Sequence, residues 1–193
     1  MAPGREQTYD WAVEISHQPA HSTPSRPDTT DWTVPSAQGC PQCGFVPIRP
    51  LSGVARRLRD SVERWQAVLE LPDVAVRPEP DVWSRLEYCC HVLDINRVFT
   101  VRVERMRSED VPTLEGWDGE VAAVEGDYNA RDPRSVASDY ETAAHRAAEL
   151  FASLEEDAWH RQGVREDGKR FTIATLADYW LHEVQHHLAD AER

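Results

Sequence analysis

Four stretches of the chain repeat apolar residues at steps of three and four, which is the period of one face of an α-helix. In the first stretch this face consists of Val54, Leu58, Val62, Trp65 and Leu69. No long alternation of apolar and polar residues, the pattern of a half-buried strand, appears in the chain. The pattern therefore predicts an all-α protein, a four-helix bundle. Its helices are expected over about 52–71, 85–107, 133–156 and 173–191.

Polar residues mark the beginnings of these helices. Glu87 follows Ser84 by three residues, which is the spacing of a capping box. Asp132 precedes a proline, which is favoured at the first helical position, and Thr172 precedes the fourth stretch. The connection 108–131 is long, and loops of this length in compact domains are often functional. The long connections leave the topology of the bundle open.

The first 39 residues differ from the rest of the chain. They are rich in Pro, Ser, Thr and Asp and show no apolar period, so they cannot bury enough surface to offset the entropy of ordering them. We expect 1–39 to be a disordered or loosely docked tail, an irregular extension that only Trp11 and Trp32 could anchor. The bundle domain is then expected over 40–193, beginning with the turn Cys-Pro-Gln-Cys-Gly.

The charge of the chain excludes some classes of partner. It has 34 acidic and 21 basic residues among 193, for a net charge of −13. Binding to nucleic acid or to anionic membranes requires a surplus of Lys and Arg, so we expect neither partner. The sequence has no apolar run of about 18 residues and no signal-peptide pattern at its start. We expect a cytoplasmic protein whose four cysteines are reduced, metal-bound or reactive rather than disulfide-bonded.

Three histidines are candidate metal ligands. His182 and His186 are four residues apart, so on a helix they project from one face and can bind one ion. His91 lies on the predicted second helix among residues expected to be buried, and a bundle core can bring it opposite that pair. Three neutral imidazoles with one open position are the usual form of a catalytic metal site. The alternative is a solvated helix end and a core histidine that bind no metal.

Neighbouring residues complete this picture. His187 points about 100° away from His186 on an ideal helix, so we expect it to be a neighbour or a surface residue. Carboxylates often accept the free N–H of a metal-bound imidazole. The candidates for this role, or for a solvated helix face, are Asp94, Asp178 and Asp190.

The turn containing Cys40 and Cys43 has three interpretations. It is a zinc knuckle completed by ligands from elsewhere in the chain, a redox-active dithiol, or a structural turn packed on the bundle. A zinc ribbon needs a second cysteine pair, and Cys89 and Cys90 face different directions because they are adjacent on a helix. We expect the structural turn.

Together these residues resemble the DinB/YfiT-like superfamily of metal-binding four-helix bundles. One histidine early in the second helix and His-x-x-x-His on the fourth carry the resemblance, which covers about 40–192. An actinobacterial branch is similar in several stretches, namely CPQCGF at 40–45, VWSRLEY at 82–88, GWD at 116–118, VEG at 124–126 and HEVQHHL at 182–188. Some members continue the last motif with Arg-Gly-Gln, whereas this chain has His-Leu-Ala-Asp.

The resemblance implies a function and a ligand set. Related bundles include thiol S-transferases and the mycothiol-dependent maleylpyruvate isomerase, so it implies a metal-dependent enzyme that activates a small thiol such as mycothiol. The ligands would be His91, His182 and His186, with zinc as the expected ion and nickel or iron as alternatives, because imidazole suits all three. The partners would be a small-molecule thiol or electrophile, and a homodimer stays open. The alternatives are a non-catalytic metal-stabilised module that binds a ligand or partner protein, and a structural bundle without metal.

Overall fold

A computed structural model describes Ser25 and residues 30–193. Residues 1–24 and 26–29, which make up most of the predicted tail, lie outside the described residues. The described residues form six helices and three short strands. The helices are α1 Thr33–Gln38, α2 Val54–Leu69, α3 Arg85–Ser108, α4 Gly119–Glu125, α5 Pro133–Ala152 and α6 Ile173–Ala191. The strands are β1 Thr113–Leu114, β2 Gln162–Arg165 and β3 Arg170–Thr172.

The four long helices α2, α3, α5 and α6 form a four-helix bundle, as the apolar pattern predicted. Helices α2 and α3 each pack against both α5 and α6, but they contact each other much less. Consecutive helices α2 and α3 therefore occupy opposite corners of the bundle. Two fully buried tryptophans, Trp65 on α2 and Trp180 on α6, are the largest side chains of the core.

The predicted helix starts are confirmed. The hydroxyl of Ser84 accepts a hydrogen bond from the backbone N–H of Glu87, and the Glu87 carboxylate accepts one from the N–H of Ser84. Asp132 caps α5, and Thr172 caps α6. The end of α5 at Ala152 comes earlier than predicted, because the chain turns at Ser153 into a short 3₁₀ segment, Glu156–His160.

A small sheet at one end of the bundle was not predicted. Strand β2 pairs in parallel with β1 and antiparallel with β3, with Val164 opposite both Thr113 and Arg170. Strands of two to four residues are too short to show an alternating pattern, so the sequence carries little signal for them. The turn between β2 and β3 has Gly168 at φ +86°, and β3 leads directly into α6.

The segment before α2 lies against α6. Helix α1, which is part of the predicted tail, packs on α6. Further along, Asp178 of α6 accepts a hydrogen bond from the backbone N–H of Ile48 at 3.0 Å and pairs with Arg49 at 3.2 Å. Among the described residues, no helix is both long enough and apolar enough to cross a membrane.

Candidate functional site

Two adjacent faces of α6 are buried near its C-terminal end, and each carries metal-ligating side chains. His182 and His186 lie with the cysteines of the N-terminal turn, whereas Glu183 and His187 lie with His91 of α3. Within each cluster, all candidate ligand atoms are within 4.8 Å of one another. The consecutive pairs His182–Glu183 and His186–His187 therefore divide between two clusters.

The first cluster, which we call the pocket triad, consists of His91, Glu183 and His187. One carboxylate oxygen, Oε2 of Glu183, lies 3.7 Å from Nε2 of His91 and 3.3 Å from Nε2 of His187. All three side chains are largely buried. The rings of the two histidines meet edge to face, with their centroids 4.8 Å apart. Three donor groups from two helices thus converge on one point.

Electrostatics couple the members of the pocket triad. Burial by itself would lower the pKa of His187, but the neighbouring Asp190 and Glu183 carboxylates outweigh it and raise that pKa to about 9. Burial would raise the pKa of Glu183, but interactions with His187 and His91 hold it well below its usual range. Burial lowers the pKa of His91 despite the nearby Glu183. The Glu183 carboxylate is therefore anionic and faces a protonated His187, so a metal ion that binds here must displace the proton of that imidazole.

Two further residues position these imidazoles. Oδ2 of Asp190 lies 3.6 Å from Nδ1 of His187, whereas the other ring nitrogen, Nε2, faces Glu183. At the start of α4, Gly119 lies against the His91 ring. The approach is so close that a Cβ at this position would be 2.6 Å from Cε1 of His91. The middle of the long connection 108–131, in which loop function was expected, thus forms part of the site.

The pocket triad lies in the wall of a cavity of about 360 Å³. Three tryptophans, Trp32, Trp83 and Trp117, line this cavity. Arg102 of α3 and Arg165 of β2 add positive charge to its wall, and Asp118 and Glu120 add negative charge. Arg102 is nearly buried. Its Nη2 donates to the backbone carbonyl oxygen of Glu115 at 2.7 Å, and this acceptor carries no charge. The cavity combines apolar walls with a few charged groups, as small-molecule sites do.

The second cluster, which we call the knuckle cluster, consists of Cys40, Cys43, His182 and His186. The backbone N–H of Cys40 donates to the carbonyl of Phe45, and the N–H of Gly44 donates to the carbonyl of Cys40, which closes a tight turn. Sγ of Cys40 lies 3.6 Å from Nδ1 of His186. This turn packs against α6, an arrangement that both the structural-turn and the zinc-knuckle interpretations allow.

The polar groups of the knuckle cluster are poorly solvated. Burial raises the pKa of the Cys43 thiol to about 11 and lowers the pKa of His182 to about 4. A thiol that keeps its proton is a weak nucleophile, so these surroundings do not favour the redox-dithiol interpretation. Burial also lowers the pKa of His186.

The three predicted ligands do not form one cluster. The structure brings His182 and His186 together, but it places His91 with the pocket triad. His187, expected to be a neighbour or surface residue, is largely buried and belongs to that triad. The sequence pattern indicated one ligand-bearing face of α6, that of His182 and His186, whereas the structure buries a second face that carries Glu183 and His187. The overlooked signal was the second pair at helical spacing, Glu183 and His187.

One of the three predicted carboxylate acceptors is near a candidate ligand. Oδ2 of Asp190 lies 3.5 Å from Nε2 of His186 as well as near His187, so it contacts both clusters. Asp94 instead accepts a hydrogen bond from the hydroxyl of Tyr128 at 2.5 Å. Asp178 accepts a hydrogen bond from the backbone N–H of Ile48.

The sequence profile of the DinB superfamily matches residues 56–191, which is more than half of the chain. The chain belongs to the DinB superfamily. The match covers α2 to α6, so this DinB protein has the family's bundle together with an N-terminal segment that contains the cysteine turn. Among curated proteins, no sequence matches it.

A solved structure supports the fold of this DinB protein. YfiT from Bacillus subtilis superposes with a TM-score of 0.70 over 77% of this chain and 90% of that chain, at 15% sequence identity. That protein is described as a probable metal-dependent hydrolase with an unusual four-helix bundle topology. At this identity the likeness shows the fold alone. Candidate metal ligation rests on the two clusters themselves, whose donor atoms lie close enough together to hold an ion.

Proposed function

We propose that this DinB protein is a divalent-metal-dependent enzyme whose ion is held by His91, Glu183 and His187. The observation that carries this proposal is the convergence of two imidazoles and a carboxylate in the wall of a cavity large enough for a small substrate. A set of two histidines and one glutamate is a known catalytic zinc set. This proposal replaces the ligand set His91, His182 and His186 that the resemblance implied.

The spacing of the donor atoms fits an ion. Ligand atoms about 2 Å from a tetrahedral zinc ion are about 3.3 Å apart. Oε2 of Glu183 is 3.3 Å from Nε2 of His187 and 3.7 Å from Nε2 of His91. Asp190 stands behind His187, an arrangement that fixes the orientation of a metal-bound imidazole. Zinc is the proposed ion, and iron is the alternative that a two-histidine, one-carboxylate set favours most.

A bound divalent ion lowers the pKa of a coordinated thiol or water and so supplies a nucleophile near neutral pH. The protein's own groups perform the remaining tasks. The tryptophans of the cavity wall exclude water and offer apolar contact, whereas Arg102 attracts an anionic group; Arg165 is already paired with Asp167 at 2.6 Å. A nearly buried guanidinium whose hydrogen-bond partner is a neutral carbonyl favours a negatively charged ligand, because an unbalanced buried charge is costly.

Within this class we propose transfer of a low-molecular-weight thiol of the mycothiol type to an electrophile. The support is the resemblance to thiol S-transferases, together with the Arg102 guanidinium in the cavity wall, which suits an anionic group of the thiol or acceptor. A cytoplasmic location is part of the proposal, because no disulfide joins the four cysteines, all of which lie in the described part of the chain, and disulfides are rare in reducing compartments. Hydrolysis is the second candidate, favoured by the description of YfiT as a probable metal-dependent hydrolase.

The proposal is tested with untagged protein, stripped of metal and reloaded with zinc, nickel or iron. Thiol consumption with electrophilic acceptors and hydrolysis of activated esters are then measured for the wild type, His91→Ala and His145→Ala. His145 is exposed on α5 and serves as the matched control. Replacing a residue that only hydrogen-bonds to a metal ligand typically reduces metal affinity or activity by about 10–100-fold. Removing a ligand itself should cost more, so we expect the metal-dependent rate of His91→Ala to fall by more than about 100-fold.

The outcomes separate the candidates. A metal-dependent thiol reaction supports the transferase, and a metal-dependent hydrolysis without thiol consumption supports the hydrolase. Equal rates for the wild type and His91→Ala would contradict an ion at the pocket triad. Metal bound at the pocket triad without any turnover would favour the non-catalytic module.

A Gly119→Ala substitution is expected to weaken metal binding at the pocket triad. The added Cβ would come within 2.6 Å of Cε1 of His91, so the His91 ring must leave its present position beside Glu183. Misplacing one ligand is expected to reduce metal affinity by about 10–100-fold, measured by competition with a coloured chelator. Gly116→Ala is the matched control, since its Cβ would meet only the flexible end of Glu166. Unchanged affinity in Gly119→Ala would show that His91 is not a ligand.

A further inference from the structure

We propose that Cys40, Cys43, His182 and His186 bind a second metal ion, a structural zinc ion, in a site distinct from the pocket triad. This site goes beyond the proposed function, because it has no role in holding substrate. Its ligands follow the spacing Cys-x2-Cys and His-x3-His that zinc fingers use, but the two halves come from opposite ends of the chain. The bundle fold brings them together.

The distances within the knuckle cluster suit zinc. Zinc–sulfur and zinc–nitrogen bonds of about 2.3 and 2.0–2.1 Å place tetrahedral sulfur and nitrogen ligands about 3.6 Å apart. Sγ of Cys40 and Nδ1 of His186 are 3.6 Å apart, and the four candidate ligand atoms all lie within 4.8 Å of one another. Two sulfur and two nitrogen donors form one of the common structural zinc sets.

His182 provides an independent observation. Its side chain is 0% exposed, and neither ring nitrogen has a hydrogen-bond partner among the residues that the structure describes. Buried polar atoms without partners cost free energy, so a native protein rarely leaves both nitrogens of a core histidine unsatisfied. Coordination of one nitrogen to an ion between His182 and the two cysteines would remove much of this cost.

Aromatic rings close the knuckle cluster. The Trp32 ring covers both imidazoles, with centroids 5.6 Å from His182 and 4.5 Å from His186. The edge of Phe45 meets His182 at 5.2 Å. Four protein ligands within an apolar shell leave no coordination position for a substrate. This is the form of a structural site rather than a catalytic one.

Polar contacts around the cluster orient its ligands. Asp190 lies 3.5 Å from Nε2 of His186, so Nδ1 is the ring nitrogen that faces Cys40. The amide of Gln185 donates to the carbonyl oxygen of Cys43 at 3.0 Å and holds the turn against α6. A carboxylate behind a ligating histidine is the usual support of a zinc site.

The proposed ion would join the N-terminal segment to the C-terminal helix. Trp32 contacts the knuckle cluster and also lines the cavity of the pocket triad. Zinc at the knuckle cluster would therefore hold one wall of that cavity in place. Asp190, which contacts both His186 and His187, lies between the two sites.

The test replaces bound metal in the full-length protein with Co²⁺ and records its absorption spectrum. Cobalt bound by cysteine gives a thiolate-to-metal charge-transfer band in the near ultraviolet, whereas cobalt at the pocket triad, which has no sulfur, gives none. We expect this band in the wild type, together with one zinc ion per chain that is released by a thiol-modifying mercurial. Absence of the band from the wild type would overturn the proposal without use of any variant.

Variants locate the signal. Cys43 is only half-buried, so Cys43→Ser is expected to fold, to lose the band and to lose one equivalent of zinc. Cys90→Ser is the matched control, because a hydroxyl can replace the Cys90 thiol that faces the carbonyl of Tyr128 at 3.8 Å. His91→Ala is expected to keep the band, so failure of the pocket site and failure of the knuckle site are distinguishable. A full band in Cys43→Ser would overturn the proposal.

Discussion

A Trp180→Ala variant is expected to lose about 3–5 kcal/mol of the free energy of unfolding, as large aromatic-to-alanine changes in cores do. Trp180 is fully buried on α6, where its ring packs on Phe151 at 5.2 Å and on Phe99 at 5.7 Å. Its indole N–H donates to Oδ1 of Asn96 at 2.6 Å. Truncation leaves a cavity between α3, α5 and α6, and it also leaves a buried amide oxygen without its donor.

The measurement is urea unfolding at a fixed, saturating zinc concentration, because metal binding shifts apparent stability. Trp180→Phe is the control, since it keeps most of the ring contacts but removes the donor to Asn96. It is expected to cost about 1–3 kcal/mol, the range for an unsatisfied buried polar group. Equal stability of the alanine and phenylalanine variants would contradict a packing role for the ring.

Replacing Glu87 with alanine is expected to cost about 3–5 kcal/mol, the range for breaking a buried ion pair by removing one member. Glu87 is 0% exposed, and its two oxygens receive hydrogen bonds from Nε and Nη2 of Arg77 at 2.8 and 2.5 Å. One of these oxygens also accepts the backbone N–H of Ser84 and so completes the capping box of α3. Removing the carboxylate takes a charged partner from Arg77 and half of the cap from α3.

Unfolding by urea, followed by circular dichroism, measures this loss. Glu87→Gln is the control, because an amide oxygen can still accept from Ser84 while the charge that faces Arg77 is gone. We expect its stability to lie between that of the wild type and that of Glu87→Ala. If the free energy of unfolding of Glu87→Ala lies within about 1 kcal/mol of the wild-type value, the buried ion pair does not stabilise α3. His91 is one turn further along α3, so the same variant is informative about metal affinity at the pocket triad.

Much of the fold was predictable because its signals are local. The apolar period of α2 and the caps at Ser84, Asp132 and Thr172 depend on residues within one or two turns of each other. The four long helices therefore appeared in the sequence with nearly correct starts, whereas α5 ends earlier than predicted and α1 lies in the segment predicted to be a tail. The small sheet was not visible in the sequence. One partner of β2, strand β1, comes before it in the chain and the other, β3, comes after it, and each strand is too short to show an alternating pattern.

The candidate site was predicted only in part. The sequence indicated His91, His182 and His186 as candidate ligands, and the family pattern implied that they share an ion. Sequence spacing on α6 could not show that two of its faces are buried, since burial depends on what packs against each face. The structure covers one face with the cysteine turn and the other with α3 and the cavity. His187 and Glu183 became visible only in this context.

The sequence by itself determined the elements of this protein, namely four amphipathic helices, their caps and a set of histidines and cysteines with ligand spacing. Those properties follow from backbone geometry and from side chains that are close together in the chain. Only the tertiary structure decided which candidate ligands meet, because Cys40 and Cys43 reach His182 and His186 through packing of distant segments. A one-residue step on α6 then assigns Glu183 and His187 to the pocket, since neighbouring positions on a helix point about 100° apart.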